Sequence, residues 1–285
     1  MAPRRLVVLT GFFIGLPVLL AAASCTDVRT VGSVGESPIE VLVWNNALEY
    51  GHAARSYGIP YLLEREASDN IHFDLTYAHT GMSFPDGPGD TTFDASVFTD
   101  AGLDRYDVIF FMHTTGPTID DDLKDTRRQA LRDFIEKKGR GFVGTHSATD
   151  TYQGDLWPWY VDFIGANYDR PTGPYVPGML YQNATHPILT AARLPNPWER
   201  SDEWFFFKRD PLSSPIPGIT VLLTVRDDAS LERPSAWIHE MPLDPSAPRG
   251  GRLFYTACCH ERVTFQEPAV IDLIVAGIKW AAHRL

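Results

Sequence analysis

An α/β fold built on a doubly wound, mostly parallel sheet is what this sequence predicts, on three observations. Residues 107–112 (DVIFFM) form an unbroken apolar run that fits a parallel strand covered on both faces. An amphipathic stretch follows and then a second apolar run, 141–144, so strand, helix and strand alternate as right-handed crossovers require. The third is the stretch Gly139 to Asp150 (GRGFVGTHSATD), which runs a short strand into a tight turn and delivers His146 to its end. In such folds ligands bind outside the carboxyl ends of the strands, so polar residues placed there are the first candidates for chemistry.

Each element has a local reason. Residues 39–44 (IEVLVW) read as a buried strand, 55–67 as a helix and 71–77 as a second strand with alternating apolar residues. The clearest helix covers 120–138. Three aspartates open it, Leu123, Ala130, Leu131, Phe134 and Ile135 share one face, Lys137 and Lys138 close it, and Gly139 caps it. The second half, rich in proline and aromatics, predicts strands over 219–225, 235–240 and 252–257 and a final helix over 268–283. That helix is apolar on most sides, through Val270, Ile271, Leu273, Ile274, Val275, Ile278 and Trp280, and is expected to pack against the sheet. Across 39–285 there is no internal repeat and no second domain boundary, and the length suffices for one large core.

The first residues read as an export signal. Arg4 and Arg5 form a basic start, residues 6–20 an apolar run shorter than the roughly 20 residues of a membrane span, and Ala21 to Ser24 a small-residue cleavage region. The string 20–25 (LAAASC) resembles a bacterial lipobox with Ala22 in place of the usual leucine, which makes Cys25 the expected lipidation site. An ordinary secretory signal cleaved near Ser24 is the alternative. Residues 1–24 are thus expected to leave as a signal peptide and 25–38 to form a flexible tether. The mature protein is expected to be exported and membrane-anchored, or else periplasmic or secreted.

Loss of the leader removes two arginines and no acid, taking the net charge from −11 to −13. So acidic a chain repels phosphate backbones and has no electrostatic reason to bind nucleic acid, whereas sugars and other neutral ligands remain open. Only Cys258 and Cys259 survive in the mature body, and a bond between adjacent cysteines strains the backbone. Disulfides are therefore not expected to hold this domain together.

Histidines fall at several predicted strand ends: His52, His113, His146 and His260. Imidazole suits both proton transfer near neutral pH and metal ligation. A histidine in a strand-to-helix loop more often caps or packs than reacts. His146 therefore leads, His52 and His260 follow, His113 comes last, and His72, His79, His186, His239 and His283 read as structural. Asp150 and Glu203 are the acidic partners, each also readable as a solvated loop acid or, for Glu203, an ion pair with Arg200. Trp157, Tyr160 and Trp204 are candidates to stack on sugar rings and Thr115 to contact them, although core packing accounts for large aromatics at least as often. No HExxH, paired CxxC, GxxxxGK[ST] or GxSxG string is present, so zinc-protease, P-loop and serine-hydrolase chemistry have no sequence support. A divalent metal enters only if the fold gathers His52, His146, Glu203 and His260.

Nine segments in order give a wider likeness: 93–100 (FDASVFTD), 103–110 (LDRYDVIF), 114–116 (TTG), 141–150 (GFVGTHSATD), 157–160 (WPWY), 199–204 (ERSDEW), 234–237 (PSAW), 254–257 (FYTA) with His260, and 277–282 (GIKWAA). Together they resemble the ThuA family, named for trehalose utilisation, over about residues 39–285. The resemblance implies a fold similar to the class I glutamine amidotransferases. It also implies that Thr145-His146-Ser147 matches the family's Gly-His-Ala turn, Asp202-Glu203-Trp204 its Asp-Glu-Trp, His52 its early histidine and His260 its late one. Where the amidotransferases carry a cysteine nucleophile, this chain offers His146, which speaks against glutamine hydrolysis by a thiolate. Three departures stand out: Tyr50-Gly51-His52 in place of Phe-Arg-His, Cys258-Cys259 in place of Leu-Gly, and His113 where a small polar residue is commoner.

The resemblance further implies a place in carbohydrate catabolism, including routes through 3-keto sugars. Two readings follow. In the first, the protein is an enzyme acting on a disaccharide or 3-keto-glycoside by histidine and carboxylate acid–base chemistry, as a hydrolase, lyase or isomerase. His146, Glu203, Asp150, His52 and His260 would carry the reaction. In the second, it is a non-catalytic lipoprotein that binds glycans. In both, a small carbohydrate is the ligand and contact with a membrane runs only through the lipid anchor.

Overall fold

The computed structural model describes residues 36–81, 86–227 and 231–285. Residues 1–24, expected as a signal peptide, and Cys25 with most of the expected tether lie outside these residues. Among the described residues no helix is long and apolar enough to cross a membrane.

Eleven strands of four or more residues occur among the described residues: β1 (Ile39–Trp44), β2 (Ile71–Asp74), β3 (Val108–Met112), β4 (Gly141–Thr145), β5 (Asn167–Pro171), β6 (Val176–Gln182), β7 (Trp198–Asp202), β8 (Phe205–Arg209), β9 (Ile219–Asp227), β10 (Glu232–Glu240) and β11 (Arg252–Thr256). Nine of them make one sheet in the order β2-β1-β3-β4-β11-β10-β9-β6-β7. From β2 to β11 every pairing is parallel, and from β11 to β7 every pairing is antiparallel. The predicted α/β sheet is therefore present, with an antiparallel extension built by the second half of the chain.

β3 is buried at every residue and sits between β1 and β4, as its unbroken apolar run requires. The helix Lys124–Glu136 covers one face of the sheet through Ala130, Leu131, Phe134 and Ile135. Leu123, expected on that face, precedes the helix and is exposed, because Asp121 takes its N–H at 2.7 Å and the helix starts later than its apolar period implied. The C-terminal helix Pro268–Ala281 covers the opposite face. It approaches β11 so closely that a Cβ on Gly277 would lie 2.0 Å from the Phe254 ring, so only glycine fits there.

Other boundaries moved for identifiable reasons. The helix expected over 55–67 breaks into Ala54–Tyr57, Ile59–Leu63 and Glu66–Asp69, with Gly58 and Pro60 at the first break. The letters GRGFVG match the spacing of a dinucleotide turn, but the first glycine (φ +62°) ends a helix and the rest run along β4, so no phosphate-binding turn forms. Strands β5, β6, β7 and β8 carry no apolar period in the sequence: burial along β5, β6 and β8 follows no clean alternation, and β7 alternates buried with exposed residues but buries the charged Arg200 and Asp202.

Register brings the strand ends level. Met112 pairs with Thr145 and Thr145 with Thr256, so His113, His146 and Ala257 leave the sheet side by side. Glu203 follows the last residue of β7, and His52 follows the short strand Tyr50–Gly51, which pairs with Gly87–Pro88.

Candidate metal centre

His146 begins a 3-10 turn, His146–Asp150, directly after β4 and takes a φ of +49°, a conformation that side-chain-bearing residues rarely adopt. This is the sharp strand-to-helix elbow expected there, and it aims the imidazole at the carboxyl ends of the strands. Nδ1–H of His146 donates to the Ala257 carbonyl at 3.1 Å, which leaves the lone pair on Nε2. Nε2 is fully buried, has no hydrogen-bond partner, and lies 3.4 Å from Glu203 Oε2.

The same arrangement recurs at the other two imidazoles. Nδ1 of His260 donates to the Glu261 carboxylate at 3.0 Å, with Nε2 3.8 Å from the same Glu203 oxygen. His52 Nδ1 meets Ser147 Oγ at 3.3 Å. The three rings lie 4.7 to 5.2 Å apart between centroids. One ligand atom from each of His52, His146, Glu203 and His260 lies within 4.8 Å of all the others. The fold thus gathers all four residues proposed from the sequence.

Three imidazoles and one carboxylate are the donor set of a first-row transition ion rather than of calcium or magnesium. Bonds of about 2.0–2.1 Å set ligand–ligand spacings of roughly 3.3–4.2 Å, so closure on an ion needs movements below an ångström. Ligating histidines ordinarily donate their second ring N–H to a carboxylate, carbonyl or hydroxyl, as here. Burial, reinforced by the neighbouring imidazoles, holds His52 well below the ordinary histidine range. Burial and then His260 lower His146 to about 3. Both are therefore neutral at pH 7, the state a ligand needs. Burial raises the Glu203 carboxyl, against the pull of His260.

His113 stands apart. Its Nε2 donates to the Cys259 carbonyl at 2.7 Å and its Nδ1 sits 3.3 Å from Thr145 Oγ1, so both nitrogens are engaged in holding loops together.

A cavity of about 240 Å³ opens over the centre, lined by Tyr50, His52, Ser147, Asp150, Tyr168, Pro171, Glu203, Phe205 and His260. Asp150 ends the turn that His146 begins. Burial and then the Glu49 charge raise its pKa to about 7. Phe205 lies over the His146 ring at 4.3 Å, and Tyr168 meets Phe205 edge-on at 4.7 Å.

The expected sugar-contacting residues lie elsewhere. Trp204 is fully buried, with Nε1–H donating to the Val176 carbonyl at 2.9 Å. Tyr160 is likewise buried and its hydroxyl donates to the Ala148 carbonyl at 2.9 Å. Trp157 packs against Tyr152 and Trp159, with Arg128 over its ring. The Thr115 hydroxyl is consumed by the Glu49 and Tyr50 backbone. None of the four lines the cavity, because each is held by the core or by a loop. Its walls are Tyr50, Tyr168, Pro171 and Phe205 instead. Phe205 was discernible in principle, since residues 204 and 205 are an aromatic doublet entering a strand and must face opposite ways.

Cys258 and Cys259 are buried, with their sulfurs 2.7 Å apart, and do not line the cavity. Burial raises the Cys258 thiol, but its contact with Cys259 and the charge of Arg200 outweigh that and lower it, while Cys259 is raised.

Comparison with known proteins agrees with this fold. A crystal structure of a ThuA-like protein from Bacteroides uniformis superposes with a TM-score of 0.63 over 88% of this chain and 94% of that one, at 18% identity, and so shares the fold. No curated protein matches in sequence. The family profile described as ThuA, trehalose utilisation, matches residues 40–281. With that match spanning nearly the whole described body, the chain belongs to the ThuA family.

Proposed function

We propose that this protein is a metal-dependent enzyme of carbohydrate catabolism that processes a sugar carrying a carbonyl group, such as a 3-keto-glycoside. The observation that carries this reading is the convergence of His52, His146, Glu203 and His260, with Nδ1 of every imidazole engaged outside the centre. A bound first-row ion would supply Lewis-acid polarisation of a sugar oxygen. Ligation also reassigns His146, whose Nε2 is buried and whose basicity is too low for proton transfer near neutral pH.

Asp150 takes over that part. With a pKa of about 7 it is half-protonated at neutral pH, so it accepts a proton from a carbon beside a carbonyl or returns one to a departing oxygen. Tyr168 and Phe205 supply the apolar faces for a sugar ring. The cavity falls below the roughly 300–1,000 Å³ of sites for drug-sized ligands, which suits one ring with the remainder in solvent. We further propose that the mature chain is exported and held at a membrane through Cys25.

Purified protein incubated with disaccharides and their 3-keto forms tests the reading. Turnover should vanish with chelator and return on addition of Mn²⁺, Co²⁺ or Zn²⁺. Full activity in chelator would remove the metal from the mechanism, and sugar binding without product at any enzyme concentration would favour a glycan-binding lipoprotein.

A further inference from the structure

We propose that Asp202 is the positioning residue of this centre, its buried carboxylate fixing the spacing of Glu203 and His260 and thereby the affinity for the ion; this rests on the metal reading above. Glu203 follows β7 and His260 follows β11, and these strands are not neighbours in the sheet, so no backbone ladder couples the two ligands. Asp202 does. It is fully buried, and its Oδ1 accepts the Glu203 N–H at 2.9 Å and the His260 N–H at 3.1 Å, while Oδ2 accepts the Cys259 N–H at 2.8 Å.

The loop is shaped for this. Cys259 has a φ of +90°, which turns its own N–H and that of His260 toward one point, the concave arrangement of successive amides that receives an anion. Arg200 stands behind the carboxylate with Nη1 3.2 Å from Oδ2, and its Nη2 reaches Glu267 at 3.3 Å. Neither Asp202 nor Arg200 lines the cavity, so the pair acts only through the ligands it holds.

Asp202→Asn preserves the shape but replaces one acceptor with an NH₂ group facing backbone N–H groups. Cobalt(II) added to the full chain and followed by its visible absorption should bind D202N about 10–100-fold more weakly than wild type, with a displaced band, as happens when groups that orient ligands are changed. Asp202→Glu, which keeps the charge but lengthens the arm, should also shift the band and is the variant to read should D202N not fold. An unaltered affinity and spectrum in the folded variant would overturn the proposal. Hydrogen exchange on wild type gives an independent measure. The Cys259 and His260 amides should exchange as slowly as those of β11 despite lying in a loop, and rapid exchange would equally overturn it. If wild type takes up no cobalt, the metal reading fails, and the two amides still decide whether Asp202 holds the loops together.

Discussion

Replacing Asp150 with asparagine should stabilise the protein increasingly as the medium turns alkaline, while removing the proposed proton carrier of the site. Burial, then the charge of Glu49, raises the Asp150 pKa from 3.8 to about 7, with Lys208 acting in the opposite sense. Tyr168 also faces this carboxyl, and the Gln153 amide donates to it. The folded chain therefore holds the Asp150 proton more tightly than the unfolded chain does. Between about pH 4 and pH 7 the folded state is protonated there and the unfolded state is not, so stability falls as pH rises through that window and is level on either side. The interval between the two pKa values corresponds to about 4 kcal/mol, of which about 2 is lost by pH 5 and nearly all by pH 8. Solvent at the cavity mouth screens part of this. The stability gap between D150N and wild type should widen by roughly 1–3 kcal/mol from pH 5 to pH 8, read by urea unfolding of the metal-free proteins. Asparagine keeps an acceptor for Gln153, so the comparison isolates the charge. A gap independent of pH would show that Asp150 ionises normally and would remove it as the proton carrier. Such a gain in stability with loss of turnover is the exchange expected of a functional group held in an unfavourable setting.

Two further outcomes follow from the same geometry and a third from the leader sequence. Wild type given Zn²⁺ at a hundredfold excess over its Kd should gain about 2.7 kcal/mol in stability, and E203Q or H260A should gain far less at that concentration; equal gains in thermal unfolding would place the ion elsewhere. Tyr168→Ala should raise KM for the sugar several-fold, whereas Trp204→Ala should cost about 3–5 kcal/mol of stability by emptying core volume; the reverse pattern would restore the tryptophan as a ligand contact. Cys25→Ser should move the protein from the membrane fraction to the soluble fraction, and continued membrane retention would count against lipid anchoring.

The parallel half of the sheet and its two long covering helices were legible because their signals are local. Apolar runs such as 107–112 and the helical period of Ala130, Leu131, Phe134 and Ile135 are set by neighbours within a turn or a pleat. The antiparallel half was only partly legible, since β6 lacks regular alternation and β7, which does alternate, buries the charged Arg200 and Asp202 where an apolar period would be sought. His146, His52, His260, Glu203 and Asp150 could be named because strand ends carry ligands in this architecture. Their separate roles could not, because those depend on which ring nitrogen a distant carbonyl or carboxylate occupies.

By itself, then, the sequence determined the α/β class, the helix Lys124–Glu136, the apolar closing helix and a short set of residues able to do chemistry. Only the tertiary structure decided that four of those residues share one centre, that Tyr168 and Phe205 rather than Trp157 and Trp204 line the cavity over it, and that Asp202 joins two strands that never pair. The physical reason is range. Periodicity and capping act over a few residues, whereas the meeting of His52 with His260 is set by strand order and register across most of the chain.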